Sequence, residues 1–352
     1  MIILGIESSC DETGVAIVRD GTELLAQSLA SSVDIHAKYG GVIPEIAARS
    51  HIEAILPTID NAIEQFSREN NLSSPAKAWQ AIDGIAVTYG AGLSGSLLIG
   101  VLTARTLAIT KNKPLYAINH VEGHVYANFL VTPQPQFPVL SLIVSGGHSQ
   151  LVLFNDHFTY TLLGQTQDDA IGEAFDKVAK ILGLPYPGGP NIAQYAKDGD
   201  PFAYALPKAK IRGAYNFSFS GLKTAVLRAS QAAAGGDYRT PSVELPERLS
   251  EAQKHNMAAS FQRVAIETVV DKTLAAYTEY APKTVVIAGG VAANQELRTQ
   301  LQSRLPIDIT YAPPALCTDN GAMIAALGCY KAMLGQTPAD PYSLAIEPNL
   351  SM

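Results

Sequence analysis

The chain has 352 residues, 47% of them apolar and 16% charged, which excludes a disordered polymer and leaves room for two hydrophobic cores. A formal charge of −7 excludes broad, charge-driven binding to nucleic acid, and the apolar runs are too short to span a bilayer. Three scattered cysteines, Cys10, Cys317 and Cys329, form neither a disulfide framework nor a CxxC metal knuckle, so a reducing, cytoplasmic setting is expected. Chemistry-bearing sequence from Gly5 onward argues against a cleavable leader.

In chain order, residues 2–6 read as a buried strand that enters a polar turn and returns as a second strand at 15–18, a hairpin. Apolar residues at helical spacing predict a helix over 44–66, followed by a strand over 82–88. Gly90, Gly92, Gly95 and Gly100 open a helix that runs to Ala108. A strand over 115–118 leads into a helix from His120 to Leu130, and the proline-rich stretch 133–138 reads as a linker. The opening pattern then recurs: a strand over 140–144, a glycine turn, and a return strand over 149–154. A third glycine turn, at Gly289-Gly290, lies between a buried strand and a helix, and residues 232–248 read as a surface excursion. The expected division is a first domain over 1–132 and a second over 133–352, with the final helix able to pack back on the first. Two α/β halves that each open on a hairpin imply a ligand cleft at their junction.

His120 and His124 are four apart on a predicted helix, so both imidazoles share one face and can reach one metal ion. Glu122 sits roughly 200° around the helix from His120, which excludes the HExxH arrangement of a zinc protease. Asp319 is the best candidate for a third ligand, and two nitrogens plus a carboxylate suit Fe(II) or Zn(II). Ser145, Gly146 and Gly147 after the strand ending Ile143-Val144 offer backbone N–H groups to an anion. Gly189 in Tyr-Pro-Gly-Gly-Pro allows close approach to a flat group, and Gly289-Gly290 with Asn294 offers the same at a helix start. Asp176 shares a helical face with Glu173 and can accept from ribose hydroxyls, beside the acidic pair Asp168-Asp169. Asp11 and Glu12 lie in the first hairpin turn, where they can approach the metal or the reacting group; Cys10 reads as packing. Lys208, Lys210 and Arg212, with Lys223 and Arg228, form a local basic cluster that can equally be solvated loop charge.

Several long motifs occur together in order: Gly-Ile-Glu-Ser-Ser-Cys-Asp-Glu-Thr at 5–13, His-Val-Glu-Gly-His at 120–124 and Val-Ser-Gly-Gly-His at 144–148. Gly-Glu-Ala-Phe-Asp-Lys at 172–177, Tyr-Pro-Gly-Gly-Pro at 186–190 and Phe-Ser-Phe-Ser-Gly-Leu-Lys-Thr at 217–224 follow. Gly-Gly-Val-Ala-Ala-Asn at 289–294 and Cys-Thr-Asp-Asn-Gly-Ala-Met-Ile-Ala at 317–325 complete the set. From residue 5 to about 330 the chain resembles the TsaD family of tRNA N6-adenosine threonylcarbamoyltransferases, formerly described as sialoglycoprotein endopeptidases.

The resemblance implies the two-domain fold of actin, hexokinase and the heat-shock chaperone ATPases (the ASKHA fold), with a duplicated mixed-sheet core. It implies transfer of the threonylcarbamoyl group from threonylcarbamoyl-AMP to N6 of adenosine 37 in tRNAs reading codons that begin with adenine. It further implies a metal, usually iron, on His120, His124 and Asp319, and an adenylate site lined by Ile143, Val144, Ser145, Gly146, Gly147, Asp176, Gly189 and Asn294. Ala193 stands where the family often carries an aspartate. TsaB-like and TsaE-like subunits are the implied partners, a TsaC-like enzyme the source of the intermediate, and no membrane is involved. Glu12 or Asp11 is the expected acceptor of the amine proton. The competing readings are an ATP-dependent small-molecule kinase of the same fold and a non-catalytic partner subunit.

Overall fold

The computed structural model describes residues 1–352 and divides into two compact units, Met1–Gln134 with Ala312–Met352, and Pro135–Tyr311. The first unit contains β1 (Ile2–Glu7), β2 (Glu12–Arg19), β3 (Glu23–Ser31), α1 (Val33–Ala37) and α2 (Pro44–Glu69). It continues through α3 (Pro75–Ala81), β4 (Gly84–Gly90), α4 (Ser94–Lys111), β5 (Leu115–Asn119) and α5 (His120–Tyr126). The second unit contains β6 (Val139–Val144), β7 (Ser149–Asp156), β8 (Thr159–Gln165), α6 (Ile171–Leu182), α7 (Gly188–Ala196) and α8 (Ser220–Ala233). After these come α9 (Leu245–Arg248), α10 (Glu251–Tyr280), β9 (Thr284–Ala288), α11 (Gln295–Arg304) and β10 (Ile309–Tyr311). The chain then returns to the first unit with α12 (Pro314–Cys317) and α13 (Gly321–Met333). A division at residue 132 therefore holds for one crossing only: the segment from Ala312, Asp319 included, belongs with the first unit and not with the second domain expected over 133–352.

Each unit is built on a five-stranded mixed sheet, in the orders β3-β2-β1-β4-β5 and β10-β9-β6-β7-β8. In both, an antiparallel meander (β1-β2-β3 or β6-β7-β8) is followed by two strands added parallel to its first strand. The plan is thus duplicated, which the weak repeat of strand, polar turn and strand anticipates. The first hairpin pairs Ile2 with Arg19 and Glu7 with Gly14, leaving residues 8–13 between the last pair.

What returns the C-terminal segment is close packing without side chains. A Cβ on Gly5 of β1 would lie 2.4 Å from Ala325 N, and one on Gly328 would lie 2.6 Å from Ala86 Cβ, so α13 sits directly on the sheet. Its residues from Gly321 to Tyr330 are all buried, as suits a helix that is apolar on every side. No helix of the chain is long and apolar enough to cross a membrane.

Candidate metal centre and glycine-loop site

The helix expected over 120–130 is α5 for its first seven residues and a 3-10 turn over Ala127–Leu130. Asn119 caps it, its Oδ1 accepting from Val121 N at 2.9 Å and Glu122 N at 3.3 Å. Gly123, between the two histidines, leaves only 3.0 Å for a Cβ before Ile324 Cδ1, so α5 lies against α13. That contact brings Asp319, one residue before the N-cap Asn320 of α13, to the histidine pair. Asp319 Oδ1 is 3.6 Å from His120 Nε2 and 3.3 Å from His124 Nε2, and one donor atom from each of the three residues lies within 4.8 Å of the others. Both ring nitrogens of His124 are buried and make no hydrogen bond, and the ring is only 1% exposed. Buried imidazole nitrogens without a hydrogen bond, beside a carboxylate, are what a cation would need, so the residues fit a metal. Glu122 is buried between the two histidines in sequence but stands outside this group; burial lifts its carboxyl to about 6, with Lys331 pulling the other way.

The residue that sequence reading missed is Glu7. It ends β1 fully buried, and its carboxylate accepts from Ser9 N at 2.6 Å and from Thr88 Oγ1 at 2.5 Å. Its Oε2 also lies 3.2 Å from His120 Nδ1, which Ser9 Oγ approaches at 3.1 Å. A carboxylate on the far nitrogen of a metal-binding imidazole sets which nitrogen faces the ion. Burial alone would lower His120 and raise Glu7, but the neighbouring charges reverse both: Asp319, then Glu7, push His120 up to about 9, and His120 holds Glu7 below the usual carboxylate range. The signal for Glu7 was an acidic residue inside an otherwise apolar strand.

In the hairpin turn, Asp11 is 8% exposed and Glu12 accepts from Ser31 Oγ at 3.3 Å. Burial, then the charges of Asp319 and Asp11, push the Glu12 carboxyl up to about 9. Burial drives the Cys10 thiol far up as well, which agrees with packing and not with a nucleophile.

In the second unit, Ile143 and Val144 are buried strand residues, and Ser145-Gly146-Gly147-His148 is a tight turn closed by Ser145 N to His148 O at 2.8 Å. Gly146 and Gly147 have open space where a Cβ would stand. By contrast, Gly172 at the start of α6 and Gly289 (φ +87°) would each place a Cβ 2.5 Å from the carbonyl oxygens of Ser145 and Val144. These two glycines therefore let α6 and the third glycine turn pack onto the first. Asp176 accepts from Gly188 N at 2.7 Å, tying α6 to the start of α7, where Gly189 is open. Asn294 is not in the first turn of a helix that follows Gly289-Gly290 directly: a 3-10 turn over Gly290–Ala293 intervenes, and Asn294 is the N-cap of α11. Its Oδ1 accepts from Leu297 N and its Nδ2 donates to Gln262 Oε1 at 3.0 Å.

The remaining acidic and basic residues are structural. Asp168 accepts from Ser218 Oγ, Phe219 N and Ser220 N, capping α8 from outside, and Lys177 joins Asp169 to Glu173. Lys208 is held by Glu267 and Asp271 and Arg228 by Gln231 and the Tyr238 carbonyl, while Lys210 and Arg212 are exposed.

The fold matches ASKHA-type proteins. Component A of the Acidaminococcus fermentans (R)-2-hydroxyglutaryl-CoA dehydratase aligns at TM-score 0.51 and 17% identity, covering 95% of this chain and 99% of that one. Full-length HypF in its phosphate- and nucleotide-bound form aligns at TM-score 0.59 and 12% identity, covering 94% of this chain and 55% of that one. The chain is thus a two-unit α/β protein of the ASKHA class.

Sequence defines the family within that class. Residues 23–326 match the family model of TsaD, tRNA N6-adenosine threonylcarbamoyltransferase. Relatives of that name from Thermomicrobium roseum and Symbiobacterium thermophilum are each 48% identical, covering 95% and 94% of this chain and 93% and 91% of theirs. One from Dehalococcoides mccartyi is 44% identical over 352 residues, covering 100% of this chain and 99% of its own. The chain belongs to the TsaD family and is an acyltransferase of tRNA modification.

Proposed function

We propose that the chain transfers the threonylcarbamoyl group of threonylcarbamoyl-AMP to N6 of adenosine 37 in tRNAs reading codons that begin with adenine, in the cytoplasm. The observation that carries this reading is the convergence of His120, His124 and Asp319 in a chain of this family. His120, His124 and Asp319 would hold a divalent ion, Fe(II) in the first instance and Zn(II) as the alternative, with Glu7 orienting His120. When bound, such an ion supplies Lewis-acid stabilisation of charge on a carbamoyl oxygen. Ile143, Val144, Ser145, Gly146 and Gly147 would receive the adenylate phosphate along bare backbone, with Asp176, Gly189 and Asn294 around the nucleoside. Because Asp176 and Asn294 already serve Gly188 and Leu297, they would act largely by shaping the pocket.

The reaction is one of addition and departure. The adenine amine forms a bond to the carbamoyl carbon, the phosphate oxygen of AMP leaves, and the amine proton passes to Glu12 or Asp11. Large apolar side chains left exposed on α2 (Ile52, Leu56) and α4 (Leu98, Leu102) support a protein partner on this unit, which we assign to a TsaB-like subunit. A TsaE-like ATPase is the second expected partner. The kinase and non-catalytic readings are not favoured, since the relatives are named transferases and the histidine–aspartate group is intact.

The test is mass spectrometry of adenosine 37 after incubation with tRNA, threonylcarbamoyl-AMP and the partner subunits. Modification that requires His120, His124 and Asp319 is expected; unmodified adenosine beside a working control enzyme would overturn the reading.

A further inference from the structure

Beyond α13 the chain crosses the first unit from Ala339 to Ser351 without a helix or strand of its own, turning at 341–343 and 348–349. Its side chains alternate. Leu344, Ile346, Pro348 and Leu350 are half-buried between exposed neighbours, and Leu344 and Ile346 pack on the hydrophobic core. The upstream half is anchored away from the metal centre. Ala339 N donates to Leu115 O at 2.7 Å, and Arg105 of α4 donates to the carbonyls of Pro341 at 2.6 Å, Leu344 at 3.2 Å and Tyr342.

The downstream half is anchored elsewhere. Glu347 N donates to Tyr89 O at 2.7 Å, Gly92 N donates to Pro348 O at 3.1 Å, and Asn119 Nδ2 donates to Ser351 O at 3.2 Å. The fit at Gly90 is close enough that a Cβ there would lie 2.1 Å from Glu347 O. Two of these contacts, those of Asn119 and Gly92, fall on the supports of His120. Asn119 caps α5 with its Oδ1, and the bond from Nδ2 to Ser351 fixes which way that amide faces. Leu93 N, one residue past Gly92, donates to Ser9 O at 2.8 Å, and the Ser9 hydroxyl stands 3.1 Å from His120 Nδ1.

We propose that residues 347–351 are a positioning strap for the metal centre: they touch no donor atom, yet they brace both the cap of the helix that carries the two imidazoles and the loop behind His120 Nδ1. A donor set held in place before the ion arrives binds it more tightly than one that must be ordered on binding. The upstream anchors at Leu115 and Arg105 serve stability and not the site. The inference rests on the metal reading above.

The experiment compares the full chain, a chain ending at Ile346, Asn119→Ser and Arg105→Gln. Serine keeps the capping oxygen of Asn119 and removes the donor to Ser351. Affinity for Zn(II) is measured by chelator competition, and hydrogen exchange over residues 120–130 is measured in metal-free protein. The shortened chain and Asn119→Ser are expected to bind Zn(II) about tenfold more weakly and to exchange faster over 120–130. Arg105→Gln is expected to lower the thermal midpoint with Zn(II) affinity unchanged. Equal affinity and equal exchange in the full chain and Asn119→Ser would overturn the strap, whether or not the shortened chain folds. A full chain that takes up no Zn(II) or Fe(II) would instead refute the metal reading, and the exchange comparison would still decide the strap.

Discussion

The two units share one sheet plan and fill the same place in it in opposite ways. In the first, the turn after the leading strand is filled with side chains: Glu7, Ser8, Ser9 and Asp11 are all buried, and the bonds of Glu7 and Ser9 lead to His120. In the second, the corresponding turn is Ser145-Gly146-Gly147-His148, with open space over both glycines. A hairpin turn beside a parallel strand is thus a location and not a function. Side-chain donors there suit the support of a cation, and bare backbone suits an anion.

The comparison breaks first, and most severely, at the metal donors. His124→Ala is expected to reduce bound metal to background and transfer by at least about a hundredfold, checked by metal analysis and mass spectrometry of adenosine 37. Circular dichroism should stay native, because the sheet does not depend on that ring.

Two buried glutamates of the first unit sharpen the contrast further. Glu7→Gln is expected to weaken metal affinity about tenfold, since an amide replaces the carboxylate on His120 Nδ1. Glu122→Gln should leave that affinity unchanged, although Glu122 lies between the two histidines. Equal effects would mean that burial near the site, and not the bond to His120, is what matters.

Glycines do the same for the second unit. Gly289→Ala meets Val144 O at 2.5 Å and a φ of +87°, and should cost about 1–3 kcal/mol in thermal or denaturant unfolding. Gly146→Ala has room and should change stability by no more than about 0.5 kcal/mol. It should nevertheless raise the KM for threonylcarbamoyl-AMP; an unchanged KM would remove the phosphate from this turn.

The smallest effect belongs to the surface of the second unit. Burial would raise the carboxyls of Glu267 and Asp271, but Lys208, with Arg263 and Arg304, holds both below the usual range. Depressed folded values mean stability that is present above the ordinary carboxylate range and lost as pH falls through them. The groups are partly exposed, so Lys208→Met should cost at most about 1 kcal/mol at neutral pH. That difference should vanish in acid, as measured by urea unfolding at several pH values.

Much of this was legible from residue patterns. Helical spacing placed two imidazoles on one face, alternation and apolar runs marked both leading hairpins, and the position of Glu122 excluded a protease site. Asp319 was reachable as a candidate because a carboxylate beside an N-cap and a glycine is conspicuous. Less legible was anything that depends on a partner distant in sequence. Asn294 offered an amide on paper, yet its oxygen is taken by Leu297 N and its nitrogen by Gln262. Asp168 read as part of an acidic set beside a sugar site and proves to be the cap of a helix that begins 52 residues later.

By itself, then, the sequence determined the elements, the family and the candidate donor residues, because local periodicity and residue type carry that information. Only the tertiary structure decided that residues 312–352 rejoin the first unit and that Glu7 stands behind His120. Those outcomes rest on close contacts between segments far apart in the chain, such as Gly5 against Ala325, and no local pattern records which distant backbone will fill the space a missing side chain leaves.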